Sequence, residues 1–210
     1  MQTTLALVQI LSLVNQSSNH NRNNMKKTLF LFALIAFVSN VHSQEKYFTK
    51  AGKLGFDATV PKSPENIDAI NKAALCVLDT KTGDIQFSCL MKGFEFERAL
   101  MMEHFNENYA ESDKYPKTVF KGVVTNNTSI NYSKDGTYSA KVKGQMTMHG
   151  ETKEVETEGK IISKSGKIQV LANFNLVFAD YKIVIPQLVA DKLAKTAKIS
   201  VDCLLEPLKK

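Results

Sequence analysis

Between Tyr138 and Ile161 the chain changes character at every residue. Tyr138, Ala140, Val142, Gly144, Met146 and Met148 hold the even positions, while Ser139, Lys141, Lys143, Gln145 and Thr147 lie between them. Successive side chains of a strand point to opposite faces, so this run has one buried and one wetted face. Val155, Thr157, Gly159 and Ile161 repeat the pattern against Glu154, Glu156, Glu158 and Lys160, and His149-Gly150 offers a two-residue turn between the runs. If Met148 faces Glu151, then Lys143 faces Glu156, Lys141 faces Glu158, and Val142 and Gly144 face Thr157 and Val155. A slip of one residue would turn the whole apolar set to water.

Other segments follow the same rule. Ile85, Phe87, Cys89 and Met91 alternate with polar residues, as do Ile168, Val170, Ala172, Phe174, Leu176 and Phe178, and again Ala197, Ile199, Val201, Cys203 and Leu205. With Leu54–Val60, Ala73–Leu78 and Lys117–Thr125 they make about eight strands, joined by Gly-containing turns at residues 81–84, 134–136 and 164–166. Two stretches have helical character: Arg98–Tyr109, with Leu100, Met101, Phe105 and Tyr109, and Pro186–Leu193, which opens on proline. Two short helices cannot cover so many one-sided strands. The sheet must close on itself as an antiparallel barrel.

Residues 25–43 have the layout of an export signal. Met25-Lys26-Lys27 is followed by the apolar run Thr28–Val38 and by Val41-His42-Ser43, which predicts cleavage after Ser43 and a working domain over residues 44–210. Residues 1–24 read as an upstream extension, with translation starting at Met25. The expected location is therefore the periplasm or the exterior. Without Arg22, Lys26 and Lys27 the formal charge of +6 falls to 24 basic against 21 acidic residues, and no basic block remains to suggest nucleic acid. In an oxidising compartment the three cysteines, Cys76, Cys89 and Cys203, allow at most one internal pair, and Cys76 with Cys89 is the first to consider because a hairpin brings them near. The other reading is that all three are small buried hydrophobes.

Sites for covalent chemistry are sparse. Only His104 and His149 follow residue 43, and GxSxG, HExxH, GxGxxG and P-loop patterns are missing from the sequence, so no catalytic, cofactor or metal site is expected. The informative pieces are Phe94-Glu95-Phe96, Met102-Glu103-His104-Phe105-Asn106, Lys114-Tyr115-Pro116-Lys117-Thr118-Val119-Phe120-Lys121-Gly122 and Gly144-Gln145-Met146-Thr147-Met148-His149-Gly150-Glu151-Thr152-Lys153. In this order they resemble the YceI-like family over roughly Lys53 to Leu205. The resemblance implies an eight-stranded, lipocalin-like antiparallel barrel with one or two short helices, able in some members to hold an isoprenoid chain. This chain departs from the family's usual opening, reading Gly52-Lys53-Leu54-Gly55-Phe56-Asp57 and containing no Trp, and its strand Phe178–Ile183 is also altered.

A ligand inside such a barrel would meet Phe87, Met91, Phe120, Met146, Met148, Phe174, Leu176 and Phe178, with His104 of the first helix at the mouth. Aromatic and Met side chains suit a long flexible apolar molecule, because apolar burial is favourable and Met adapts its shape. The same residues could instead fill the interior. Two functions follow: a carrier of a polyisoprenoid, quinone or fatty acid that touches membranes transiently, or a filled barrel serving as a protein-interaction module in envelope stress. Strand parity puts His149 with Lys141 and Lys143 on the polar face, as a turn or hydrogen-bonding residue.

Overall fold

The computed structural model describes residues 46–208 apart from 62, 64, 190 and 191. The export signal and upstream extension expected over residues 1–43 lie outside the described residues. In chain order the elements are β1 (Lys46–Thr59), β2 (Asp68–Asp79), β3 (Asp84–Leu90), β4 (Phe94–Phe96), the helix α1 (Ala99–His104), β5 (Lys117–Val124), β6 (Gly136–Met148), β7 (Glu151–Lys164), β8 (Lys167–Val177) and β9 (Leu193–Pro207). The strands pair antiparallel in the order β1-β9-β8-β7-β6-β5-β3-β2, and a further β1–β2 pairing closes them into an eight-stranded barrel. The short β4 adds onto β2.

The charge-matched hairpin takes the expected register. Met148 lies opposite Glu151, Lys143 opposite Glu156 and Lys141 opposite Glu158. The Lys143 ammonium turns diagonally, 3.0 Å from Glu154 and 4.0 Å from Glu156, while Lys141 and Glu158 are 3.8 Å apart. Such exposed pairs are worth about 0.2–1 kcal/mol each and mark the register more than they stabilise the fold.

Three departures have local causes. β2 starts at Asp68, five residues before the expected strand, because its alternation breaks where Lys72 and Ala73 are both exposed. Asn71, buried there, donates from Nδ2 to the Leu90 carbonyl at 2.9 Å and accepts from the Ala73 amide at 2.9 Å, so the irregularity is hydrogen-bonded. The helix expected over Pro186–Leu193 is a correction: among the described residues of that segment a 3-10 turn forms at Gln187–Val189, and Leu193 opens β9 opposite Thr59. One helical turn has little intrinsic stability, and pairing with β1 buries Leu193 instead. The Arg98–Tyr109 segment is α1 followed by a π turn over Phe105–Tyr109; Leu100 on its outer side is exposed, while Phe105 is buried.

The core falls into layers. At one end Leu78, Ile85, Val124, Ile161, Ile168 and Leu205 pack together, under the β5–β6 connection, where the Tyr132 hydroxyl donates to Asn127 at 2.7 Å and Ser163 donates to the Tyr132 carbonyl at 2.8 Å. That end is closed. The other end is roofed by α1, the π turn and the β8–β9 connection.

Candidate ligand-binding site

The closed-end core does not fill the barrel. Above Ile85, Val142, Val170 and Val201 lies a cavity of about 310 Å3. Small inward residues leave part of this room, among them Thr157 and Ala172. A glycine pair leaves more. Gly122 of β5 and Gly144 of β6 face each other, and the Phe120 ring folds across both, its Cζ 2.6 Å and 2.7 Å from where their Cβ atoms would stand. Only glycine permits that approach, so the ring lies against the wall and the axis stays open.

All nine residues expected from the sequence line this cavity: Phe87, Met91, Phe120, Met146, Met148, Phe174, Leu176, Phe178 and, from α1, His104. Period-two alternation places the strand residues there directly. It does not find the aromatic roof. Phe56 sits among Phe94, Phe96, Phe105 and Phe178, with ring centroids 6.4, 6.3, 5.6 and 6.2 Å away, and Phe96 and Phe105 are 5.0 Å apart. Phe94 and Phe96 alternate, and Met101, Phe105 and Tyr109 repeat every fourth residue, so a signal existed. What it lacked was the closure that brings β1, β4 and the helical segment together.

The lining is almost wholly apolar. Thr118 donates to the Met91 sulfur at 3.1 Å, and every buried side-chain nitrogen or oxygen among the described residues has a partner. Titratable groups stand toward the roof: Glu65, which accepts from Arg98 at 2.6 Å, with His104, His149 and Lys192. No group of three or more His, Cys, Asp or Glu among the described residues is placed to hold a metal. Such a pocket offers desolvation and shape, with Ser88, Thr118 and Thr157 as the few uncharged polar side chains among its apolar lining.

His149 is a second correction. It does not point to water with Lys141 and Lys143, because its φ of 51° breaks the alternation at the turn, and its side chain is only 9% exposed. It is nevertheless a turn and hydrogen-bonding residue. Its Nδ1 donates to the Tyr181 carbonyl at 2.9 Å, its Nε2 meets the Glu111 carboxylate at 3.1 Å, and its ring lies 4.5 Å from that of Tyr115. The hairpin turn is thus tied to the segment after the π turn and to the β8–β9 connection. Glu111 and Lys182 also have positive φ, 42° and 55°, and Lys182 pairs with Glu151 at 2.7 Å. Left-handed non-glycine residues cost about 1 kcal/mol or more each, and three of them meet at this latch.

Desolvation pushes the Glu111 carboxyl up, but the hydrogen bond with His149 and the nearby Lys114 outweigh it and hold it below the ordinary carboxylate range. A carboxylate with a lowered folded pKa contributes stability above its unfolded pKa and loses it as the pH falls through the folded one. The latch should therefore hold at neutral pH and weaken in acid. Hydrogen-exchange protection of amides in residues 105–116 is expected to fall below the carboxylate range in the parent protein, and Glu111→Gln should lower it at neutral pH and flatten that dependence. Equal protection at both pH values in the parent protein would count against the latch.

A family model described as the YceI-like domain matches residues 37–204. Among solved structures, a polyisoprenoid-binding domain from Saccharophagus degradans, implicated in plant cell wall breakdown, superposes with a TM-score of 0.66 at 13% identity, covering 78% of this chain and 99% of its own. Burkholderia cenocepacia BcnA gives 0.59 at 11% identity, covering 73% and 95%, and a Campylobacter jejuni YceI protein gives 0.53 at 15%, covering 70% and 87%. Among curated proteins nothing matches the chain at a significant level. At these identities the solved structures speak to the fold, which they share with the closed barrel described above. The family model spans most of that barrel together with the Tyr115–Gly122 strand and the Gly144–Lys153 hairpin, and the chain belongs to the YceI-like family.

Proposed function

We propose that this protein binds and carries a long apolar molecule such as a polyisoprenoid, quinone or fatty acid, in the periplasm or outside the cell and without covalent chemistry. The observation that carries this is the cavity of about 310 Å3 walled by Phe, Met and aliphatic side chains. A filled barrel serving as an interaction module would have no void on the scale of a small-molecule site. The polyisoprenoid-binding description of the Saccharophagus domain supports the same reading.

Magnitudes favour a long chain over a small solute. At about 0.8 kcal/mol per buried methylene, roughly 15 carbons gain about 12 kcal/mol, and association costs at least about 4. What remains corresponds to a dissociation constant of about 1 μM. The apolar part would lie against Phe87, Met91, Phe120, Met146, Met148, Phe174, Leu176 and Phe178, and the polar end would stay at the rim near His104 and Lys192.

Native mass spectrometry of the purified protein, followed by organic extraction, tests this. A co-purified lipid, or stoichiometric uptake of a polyprenyl or fatty-acid probe, is the expected result. Absence of both would overturn the proposal.

A further inference from the structure

Cys76 of β2 and Cys203 of β9 point inward in the closed-end core, and both are fully buried. Their strands are not neighbours, since β1 runs between them. Adjacent strands lie about 4.8 Å apart, so inward side chains two strands apart are ordinarily held off by one from the middle strand. Here the middle position is Gly52, which faces Ala74. A Cβ on Gly52 would stand 2.5 Å from the Cys203 sulfur and 2.9 Å from the Ala74 carbonyl oxygen. The missing side chain leaves the space over Gly52 to the Cys203 sulfur, and Cys76, two residues from Ala74 on the same inward face of β2, packs with Cys203 in one core cluster, both as free thiols. β1 is also irregular at this point, with register shifts against β2 on both sides of Gly52 and another against β9 between Phe48 and Lys53. The backbone beneath the two sulfurs is the least regular part of the barrel wall.

Cys89 belongs to a different environment. The hairpin sets Cys76 opposite Phe87, and Cys89 lies opposite Thr118 in the layer under α1. The β2–β3 hairpin therefore does not set Cys89 opposite Cys76, and all three cysteines are buried free thiols.

We propose that Cys76 and Cys203 are a disulfide-forming pair that staples β2 to β9 across Gly52. Formation is a thiol–disulfide exchange with a disulfide-bearing oxidant, either a thiol oxidoreductase or a low-molecular-weight disulfide. One cysteine thiolate attacks the oxidant, giving a mixed disulfide and releasing one thiol; the second cysteine, as its thiolate, displaces the other. The two cysteines lose two protons and two electrons, and the oxidant's disulfide is reduced to two thiols. Residues 25–43 have the form of an export signal, and disulfides persist outside the reducing cytoplasm.

Burial and the neighbouring Cys203 push the Cys76 thiol far above its ordinary range, so thiolate is scarce in the finished core. The bond accordingly forms while the chain folds, before β1 settles between its neighbours, and is then shielded from reductants. It would join the second strand to the last and make the two ends of the barrel unequal. The closed end would be covalently held, while the roof over the cavity is fastened only by contacts such as Arg98–Glu65 and His149–Glu111.

The test uses the full chain, unfolded in reductant, refolded with reduced and oxidised glutathione, alkylated and digested without reduction. The expected map joins the peptide carrying Cys76 to the one carrying Cys203 and leaves Cys89 alkylated. The thermal midpoint should lie about 5–10 °C above that of a reductant-treated sample. Cys89→Ser should keep the cross-link, and Cys203→Ser should leave Cys76 alkylated. Three alkylated cysteines in the parent protein, or a Cys76–Cys89 link, would overturn the proposal. If Cys203→Ser does not fold, the parent peptide map and Cys89→Ser decide alone.

Discussion

Ala172→Phe is expected to weaken lipid binding at least tenfold while leaving the barrel folded. Ala172 lies on the inward face of β8, opposite Val201 of β9 and Gly159 of β7, and it lines the cavity. A phenyl ring there points into the void that the chain of the ligand would occupy. Overpacking a full core costs about 1–3 kcal/mol, but a ring entering an existing cavity gains contacts instead. The thermal midpoint should therefore hold or rise while the affinity falls, and each tenfold loss is about 1.4 kcal/mol. Unchanged uptake of a fatty-acid or polyprenyl probe by a folded Ala172→Phe protein would show that this space is not the binding site. Phenylalanine is the better choice over tryptophan because it brings no N–H into an apolar site.

Gly144→Val carries the largest expected loss of stability, about 3 kcal/mol, seen as a drop in thermal midpoint of roughly 6–12 °C. A Cβ at residue 144 would collide with the Lys121 carbonyl and stand 2.5 Å from the Gly122 Cα and 2.7 Å from the Phe120 ring. The first two are backbone atoms of the paired strand, so β5 and β6 would have to part. The ring would have to swing from the wall into the cavity, and binding should fall together with stability. Phe120→Ala in the same background would relieve the ring but not the backbone, and should recover only part of the loss. A drop below about 1 kcal/mol would mean that the glycine pair does not set the position of Phe120.

The hairpin from Gly136 to Lys164 was legible down to its register. Its information is local: one turn, one apolar face and charges that match across the ribbon. The inward set on β3, β5, β6 and β8 was legible for the same reason, since parity carries along each strand from any one buried position. Parity failed where the backbone leaves the extended region. His149, with φ of 51°, and the irregular stretch of β2 at Asn71–Ala73 each break the two-residue count, and in both places a side chain turns inward to hydrogen-bond. The length of β1 was also hidden. Lys46, Lys50, Ala51 and Lys53 are exposed and carry no apolar rhythm, and only pairing with β2 and β9 makes that stretch a strand.

The alternation of residue types by itself determined that this chain would form one-sided antiparallel strands, which of their side chains would turn inward, and that the sheet had to close. Tertiary structure alone decided what the interior contains. An empty volume, the four phenylalanines around Phe56, the flattened Phe120 ring and the packing of Cys76 and Cys203 in one cluster all depend on residues from strands far apart in the chain. Periodicity tells each strand which way it faces, but the space left between facing walls is set by how the strands close around one another.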